Sequence, residues 1–136
     1  MDTVNRNPLF PITLNAVVLE CSDVIALSDF YIRLLGWKKN YGEDDEWIDI
    51  ISPSGGTKIA FQKNEDYVPP VWPDEPGAQQ QMGHLDFTVE TGEQMMQCVR
   101  HALDCGASMA GRQYDPDQWI TMLDPAGHPF CFVIWY

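Results

Sequence analysis

The chain carries one short pattern twice, and a repeated supersecondary unit restricts a fold more tightly than any single motif does. "EWIDIISPSGGTKIAF" (Glu46 to Phe61) and "QWITMLDPAGHPFCF" (Gln118 to Phe132) share a Trp, an alternating apolar strand, a Pro-x-Gly turn and a second apolar strand. Trp47 corresponds to Trp119, Pro53 to Pro125 and Gly55 to Gly127. Upstream of each copy lies a helical stretch ending at Gly, "VIALSDFYIRLLG" and "EQMMQCVRHALDCG", and before each helix an alternating strand, "LNAVVLEC" and "GHLDFTVE". The unit is therefore βαβββ, present twice in one domain. Module one covers about 12–63 and module two about 83–136, with a linker over about 64–82.

The helices are read from spacing. Ile25, Leu27, Tyr31, Leu34 and Leu35 in the first, and Met95, Met96, Val99, Ala102 and Leu103 in the second, recur every three to four residues and predict one buried stripe each. Thr91 to Gln94 has the form of a capping box, in which the hydroxyl and the amide satisfy backbone donors at the helix start. Gly36 and Gly106 suit the left-handed conformation that ends a helix. The linker holds four prolines and several acids, which resist both helix and ladder hydrogen bonding. Its Tyr67 and Trp72 either pin it to the body or lie over a ligand.

One helix and about four strands per module let each sheet bury one face beneath its helix and leave the other face open. The expected architecture is α+β: two half-barrel mixed sheets, helices outside, with a cup-shaped cavity between. A chain of 136 residues buries a sufficient core without disulfides or a structural metal. Its 8 basic against 20 acidic residues give a formal charge of -12, which repels nucleic acid and anionic membrane surfaces. The four cysteines contain no C-x-x-C pair and read as neither a zinc nor a disulfide framework. The start lacks a basic, apolar leader, and the longest apolar run, Phe130 to Tyr136, is far short of a membrane span. The expectation is a cytoplasmic protein.

By period-two alternation His84, Asp86 and Thr88 share one face of "GHLDFTVE", while Leu85, Phe87 and Val89 share the face under the helices. Asp86 can orient the His84 imidazole as a general base if it comes within reach, although side chains two apart on a strand are often too distant. The alternative is two polar residues wetting a cavity wall. Trp47 and Trp119 either pack or stack on a planar or cationic ligand. Glu43 to Glu46 reads as a solvated hairpin turn. No phosphate-binding Gly-rich loop and no G-x-S-x-G elbow occurs. Cys131 would need an activating neighbour to serve as a nucleophile.

"FYIRLLGW" (Phe30 to Trp37), the paired "SPSGG" and "DPAGHPFCF" turns and "GHLDFTVE" resemble the glyoxalase/bleomycin-resistance/dioxygenase superfamily, the vicinal oxygen chelate proteins. More narrowly, they resemble its glyoxalase-like domains of unassigned activity. The resemblance implies paired βαβββ modules, a homodimer and a ligand inside the cup. It also implies that metal-dependent members take ligands from the opening and closing strand of each module, commonly His or Gln and then Glu. Carried onto this chain, those positions are Ala16, Ala60, His84 and Cys131. Only His84 matches; Cys131 is an unusual thiolate, and Gln62 and Glu20 are same-face neighbours of the vacant positions.

The expectation is therefore a small-molecule-binding protein without the usual family metal, with His84, Asp86, Trp47, Trp119, Gln62 and Cys131 around the ligand. The alternative is a lyase, isomerase or dioxygenase that uses His84 as divalent-metal ligand or base. The aromatic end "FVIWY" is a further candidate for self-association.

Overall fold

The computed structural model describes residues 9–42 and 44–134. Glu43 of the acidic run, and Trp135 and Tyr136 of the aromatic end, lie outside the described residues. The elements are β1 (Ala16–Cys21), α1 (Val24–Leu35), β2 (Lys38–Tyr41), β3 (Trp47–Ile51) and β4 (Lys58–Lys63), then β5 (Leu85–Thr88), α2 (Gly92–Cys105), β6 (Ser108–Met109), β7 (Trp119–Leu123) and β8 (Pro129–Val133). The βαβββ order occurs twice, as the repeat predicts.

Each module forms one four-stranded mixed sheet, in the orders β1-β4-β3-β2 and β5-β8-β7-β6. In both, the opening strand lies parallel to the closing strand, which pairs antiparallel with the strand before it. A parallel pair needs a long crossover, and the helix and hairpin between the two strands supply it. Among the described residues no helix is long and apolar enough to cross a membrane.

Local sequence accounts for the helix ends. Asp23 caps α1 by accepting from the Ala26 N–H at 3.0 Å, and Gly36 ends it at φ 68°. Thr91 accepts from the Gln94 N–H at 3.1 Å, while the Gln94 amide oxygen reaches back to the Glu90 N–H at 2.9 Å. The stripes differ from expectation at three positions: Ile25, Met96 and Leu103 are exposed. Phe30 and Tyr31 set the rotation of α1 instead, and Met95, Val99, Ala102 and Cys105 form the buried face of α2. A 3.6-residue period leaves adjacent apolar positions to compete for the core, and contact with the larger aromatic groups decides between them.

The two modules share one hydrophobic core. Phe130 of β8 lies with its ring centroid 6.0 Å from Phe30, 6.2 Å from Tyr31 and 5.7 Å from Phe132. Tyr31 stacks on Phe61 of β4 at 5.6 Å, so one aromatic chain runs from the first sheet through α1 to the second.

A buried polar knot accompanies it. The Tyr31 hydroxyl donates to Asp124 Oδ2 at 2.7 Å, and Asp124 Oδ1 accepts from the backbone N–H groups of Ala126 and His128 at 2.9 and 3.0 Å. Burial raises the Asp124 carboxyl above its usual range, against the lowering effect of these donors. Burial, then the Asp124 charge, pushes the Tyr31 phenol well up.

The linker is fastened to module two. Tyr67 donates to the Ala126 carbonyl at 2.7 Å, and the Trp72 indole donates to the Arg112 carbonyl at 2.9 Å while meeting Tyr114 edge-on at 5.7 Å. Cys21, Cys98, Cys105 and Cys131 are all free thiols.

Candidate functional site

Ile48 and Ile50 of β3, Ile59 and Phe61 of β4, and their counterparts Ile120, Met122, Phe130 and Phe132 belong to the core. Alternation therefore turns Trp47, Asp49, Ala60, Gln62, Trp119, Thr121 and Cys131 to the opposite face. The pairing register makes the two modules comparable side chain by side chain. In module one Val18 lies opposite Ala60 and Ala60 opposite Asp49; in module two Asp86 lies opposite Cys131 and Cys131 opposite Thr121. Ala16 and His84 precede Val18 and Asp86 by two residues.

In module one the row is closed on itself. Asp49 is buried, accepting from the Asn40 amide at 2.8 Å and from the Trp47 indole at 3.1 Å. Trp47 and Trp119 are both half-buried, and Gln62 is exposed.

In module two the row gathers donors. His84, immediately before β5, places Nε2 3.2 Å from Asp86 Oδ1, with 38% and 27% of the two side chains exposed. The two are therefore within reach, the condition that a role for Asp86 in orienting His84 requires; the side chain of a residue just outside the strand has room to fold back. The ligating atoms of His84, Asp86 and Cys131 all lie within 4.8 Å of one another. Among the described residues, the sulfur belongs to a cluster rather than standing alone. Burial raises the Cys131 thiol to about 11, a hydrogen bond with Thr121 opposes the rise, and Asp86 adds to it. The thiol is thus held protonated near neutral pH, unlike an activated nucleophile. Thr121, absent from the sequence-based site, places its hydroxyl 3.3 Å from Cys131 Sγ; its only sequence signal is its repeat equivalence to Asp49.

Beside this cluster a cavity of about 470 Å³ opens between β1, the linker and the start of module two, with Val18, Glu20, Tyr67, Gln81, His84 and His128 among its walls. Of the six residues expected around the ligand only His84 lines it, joined by Glu20 and Tyr67, while Asp86, Cys131, Trp47, Trp119 and Gln62 do not. Gln81 brings a buried Oε1 that has no hydrogen-bond partner among the described residues. Nothing in "QQQMG" distinguishes Gln81 from its neighbours before the fold is known. Tyr67, pinned through its hydroxyl, also forms cavity wall, so the linker both fastens and encloses.

The family model for the glyoxalase-like domain matches residues 16–133, from the first residue of β1 to the last of β8. The chain belongs to the glyoxalase-like domain family. A glyoxalase/bleomycin resistance protein/dioxygenase family enzyme from Burkholderia phytofirmans PsJN has a similar structure, with TM-score 0.67 and 18% identity over 89% of this chain and 97% of that one. Lactoylglutathione lyase from Agrobacterium tumefaciens gives TM-score 0.63 and 15% identity over 92% and 95%. The fosfomycin resistance protein FosX from Mesorhizobium loti gives TM-score 0.67 and 13% identity over 93% and 94%. At these identities the likeness is one of fold. No curated protein matches the chain.

The metal arrangement that the family resemblance implies does not fit this member of the glyoxalase-like family. It requires donors from both modules, and Ala16 and Ala60 supply none. The three clustered donors all come from module two.

Proposed function

We propose that the chain is a small-molecule-binding member of the glyoxalase-like family whose ligand occupies the 470 Å³ cavity. The observation that carries this reading is Gln81 Oε1 in the wall of that cavity, a buried acceptor without a donor among the described residues. A buried unpaired carbonyl costs about 1–3 kcal/mol, which a ligand N–H would recover. The volume is of the size that small ligands fill. Glu20 and Asp66 add carboxylates to the wall, and no Lys or Arg among the described residues lines it, so the walls favour a compact ligand with an amine or amide donor on an apolar body. Structural neighbours named for a lactoylglutathione lyase and a fosfomycin resistance protein agree with a small molecule as the ligand class. A cytoplasmic homodimer accompanies this reading, on the strength of the free thiols and the family resemblance.

A panel of small aromatic amines and amides, read by thermal shift, tests the site. A binder at a hundredfold excess over its Kd should stabilise the protein by about 2.7 kcal/mol. Val18, 43% exposed in the cavity wall, offers the control: Val18→Trp fills the space and should abolish the shift. Equal stabilisation of that variant would place the ligand elsewhere.

A second reading rests on the 3.2 Å His84–Asp86 contact. A carboxylate that holds an imidazole at a cavity wall equips it to take a proton from a bound carbon acid, as an isomerase or lyase requires. His84→Ala would then abolish turnover while leaving binding measurable, whereas the binding-protein reading has no turnover to lose.

A further inference from the structure

We infer that Met82 covers the ligand in the cavity described above and selects an aromatic ring that carries its amide directly. This role rests on the proposed use of that cavity and adds to it the residue that sets the shape of the ligand.

Two unusual features fall on consecutive residues. Gln81 holds the buried Oε1 that has no partner among the described residues, and Met82 has φ 62°, the one positive φ outside glycine among them. That region is sterically costly for a side chain such as methionine, and residues held there concentrate at ligand clamps. A glycine stands next in the chain, yet Gly83 is not among the residues of positive φ. Glycine at 82 would remove the cost, so the methionine side chain has a use that the turn itself does not require.

The turn has a geometric effect. In an extended chain consecutive side chains point to opposite sides, whereas every residue from Gln79 to Leu85 lines the cavity. The left-handed backbone at Met82 breaks the alternation, so that Gln81 and Met82 meet the same space, one with its amide oxygen buried and the other 83% exposed. Val18 of β1 and Val68 of the linker, 43% and 58% exposed, line it as well. Three apolar side chains from three segments thus remain in water around a buried acceptor. An apolar ligand body removes that surface from water, which favours binding.

The spacing sets the class of ligand. Consecutive Cα atoms are about 3.8 Å apart, so the N–H that reaches Gln81 and the surface that meets Met82 adjoin in the ligand. An amide carried on a ring satisfies this, and an amine at the end of a long alkyl chain does not. The flexible thioether makes a favourable contact with an aromatic ring that a saturated ring cannot return.

Benzamide is the probe and cyclohexanecarboxamide its saturated counterpart, each titrated into full-length protein isotopically labelled in its methionine methyl groups. The Met82 resonance, assigned by its loss in Met82→Asn, should shift with benzamide through the ring current and stay nearly still with the saturated amide. The resonances of Met95 and Met122, both buried in the core, should not move. Benzamide should bind about twofold to tenfold more tightly than cyclohexanecarboxamide. Met82→Asn keeps a residue that tolerates positive φ and should abolish this preference, while Gln81→Leu and Val18→Trp should abolish benzamide binding altogether. If those two variants lose benzamide but the Met82 resonance stays still in the wild type, or the preference survives Met82→Asn, the cavity remains the ligand site and the role of Met82 is refuted. Binding of another amine without any binding of benzamide refutes that role in the same way. Benzamide binding that survives both Gln81→Leu and Val18→Trp, or no binding by any amine or amide, overturns the cavity as the ligand site and the role of Met82 with it.

Discussion

Replacing Phe130 with Ala should lower the free energy of unfolding by about 3–5 kcal/mol and should destabilise both modules together. The ring is fully buried, and its neighbours come from both halves: Phe30 and Tyr31 from α1, Phe87 and Phe132 from the second sheet. Truncation removes the transfer free energy of the ring and leaves a cavity among aromatic groups that are tied to three different elements and cannot readily collapse. A domain of ordinary stability has about 5–15 kcal/mol in total, so the loss is a large fraction of it. Urea denaturation followed by both circular dichroism and Trp fluorescence should show one coincident transition, moved to lower denaturant with its slope unchanged. Two separated transitions, with module one unaffected, would show that the shared core does not couple the halves.

Asp124→Ala should cost about 3–5 kcal/mol, since each donor left unpaired away from water costs about 1–3 kcal/mol. It leaves the Tyr31 hydroxyl and the N–H groups of Ala126 and His128 without the carboxylate that accepts from all three. Asp124→Asn separates the charge from the hydrogen bonds, because an amide oxygen still accepts from the backbone. Burial raises the folded carboxyl of Asp124 above its unfolded value of about 3.9. A group raised in this way contributes stability that is complete below the unfolded pKa and is lost as pH rises through the folded pKa. The margin of the wild type over the Asn variant should therefore be greatest in acid and shrink toward neutrality. Thermal unfolding of both proteins across that interval measures it; a margin that grows toward neutral pH contradicts the assignment of the shift to burial.

The features that local sequence controls were legible before the fold. The repeat specified the element order, the Thr91 and Gly106 signals marked the ends of α2, and the alternation of "GHLDFTVE" put His84 and Asp86 on the face away from the helices. What escaped was long-range. The family resemblance placed Cys131 with His84 and Asp86 around the ligand, but the pairing that sets it directly opposite Asp86 is one particular parallel register of β5 and β8, a fact of tertiary pairing across 45 residues. The Tyr31–Asp124 bond spans 93 residues and is equally invisible to periodicity. Gln81 lies in the linker, where composition predicts irregular chain and says nothing of which amide becomes enclosed. The apolar stripes failed at Ile25, Met96 and Leu103 for a related reason: a helix can present either of two neighbouring apolar residues, and its partners choose between them.

The matched registers of the two sheets make the molecule a symmetrical scaffold with an asymmetrical interior. At the places where one half presents imidazole, carboxylate and thiol, the other has Ala16, Val18 and Ala60, set on strands of the same order and direction. Its central carboxylate, Asp49, is already spoken for by Asn40 and Trp47. The chain thus contains its own blank copy: the geometry that a donor cluster needs is present a second time without the chemistry. Writing His, Asp and Cys onto those three positions would ask whether the backbone alone is sufficient to build the cluster again.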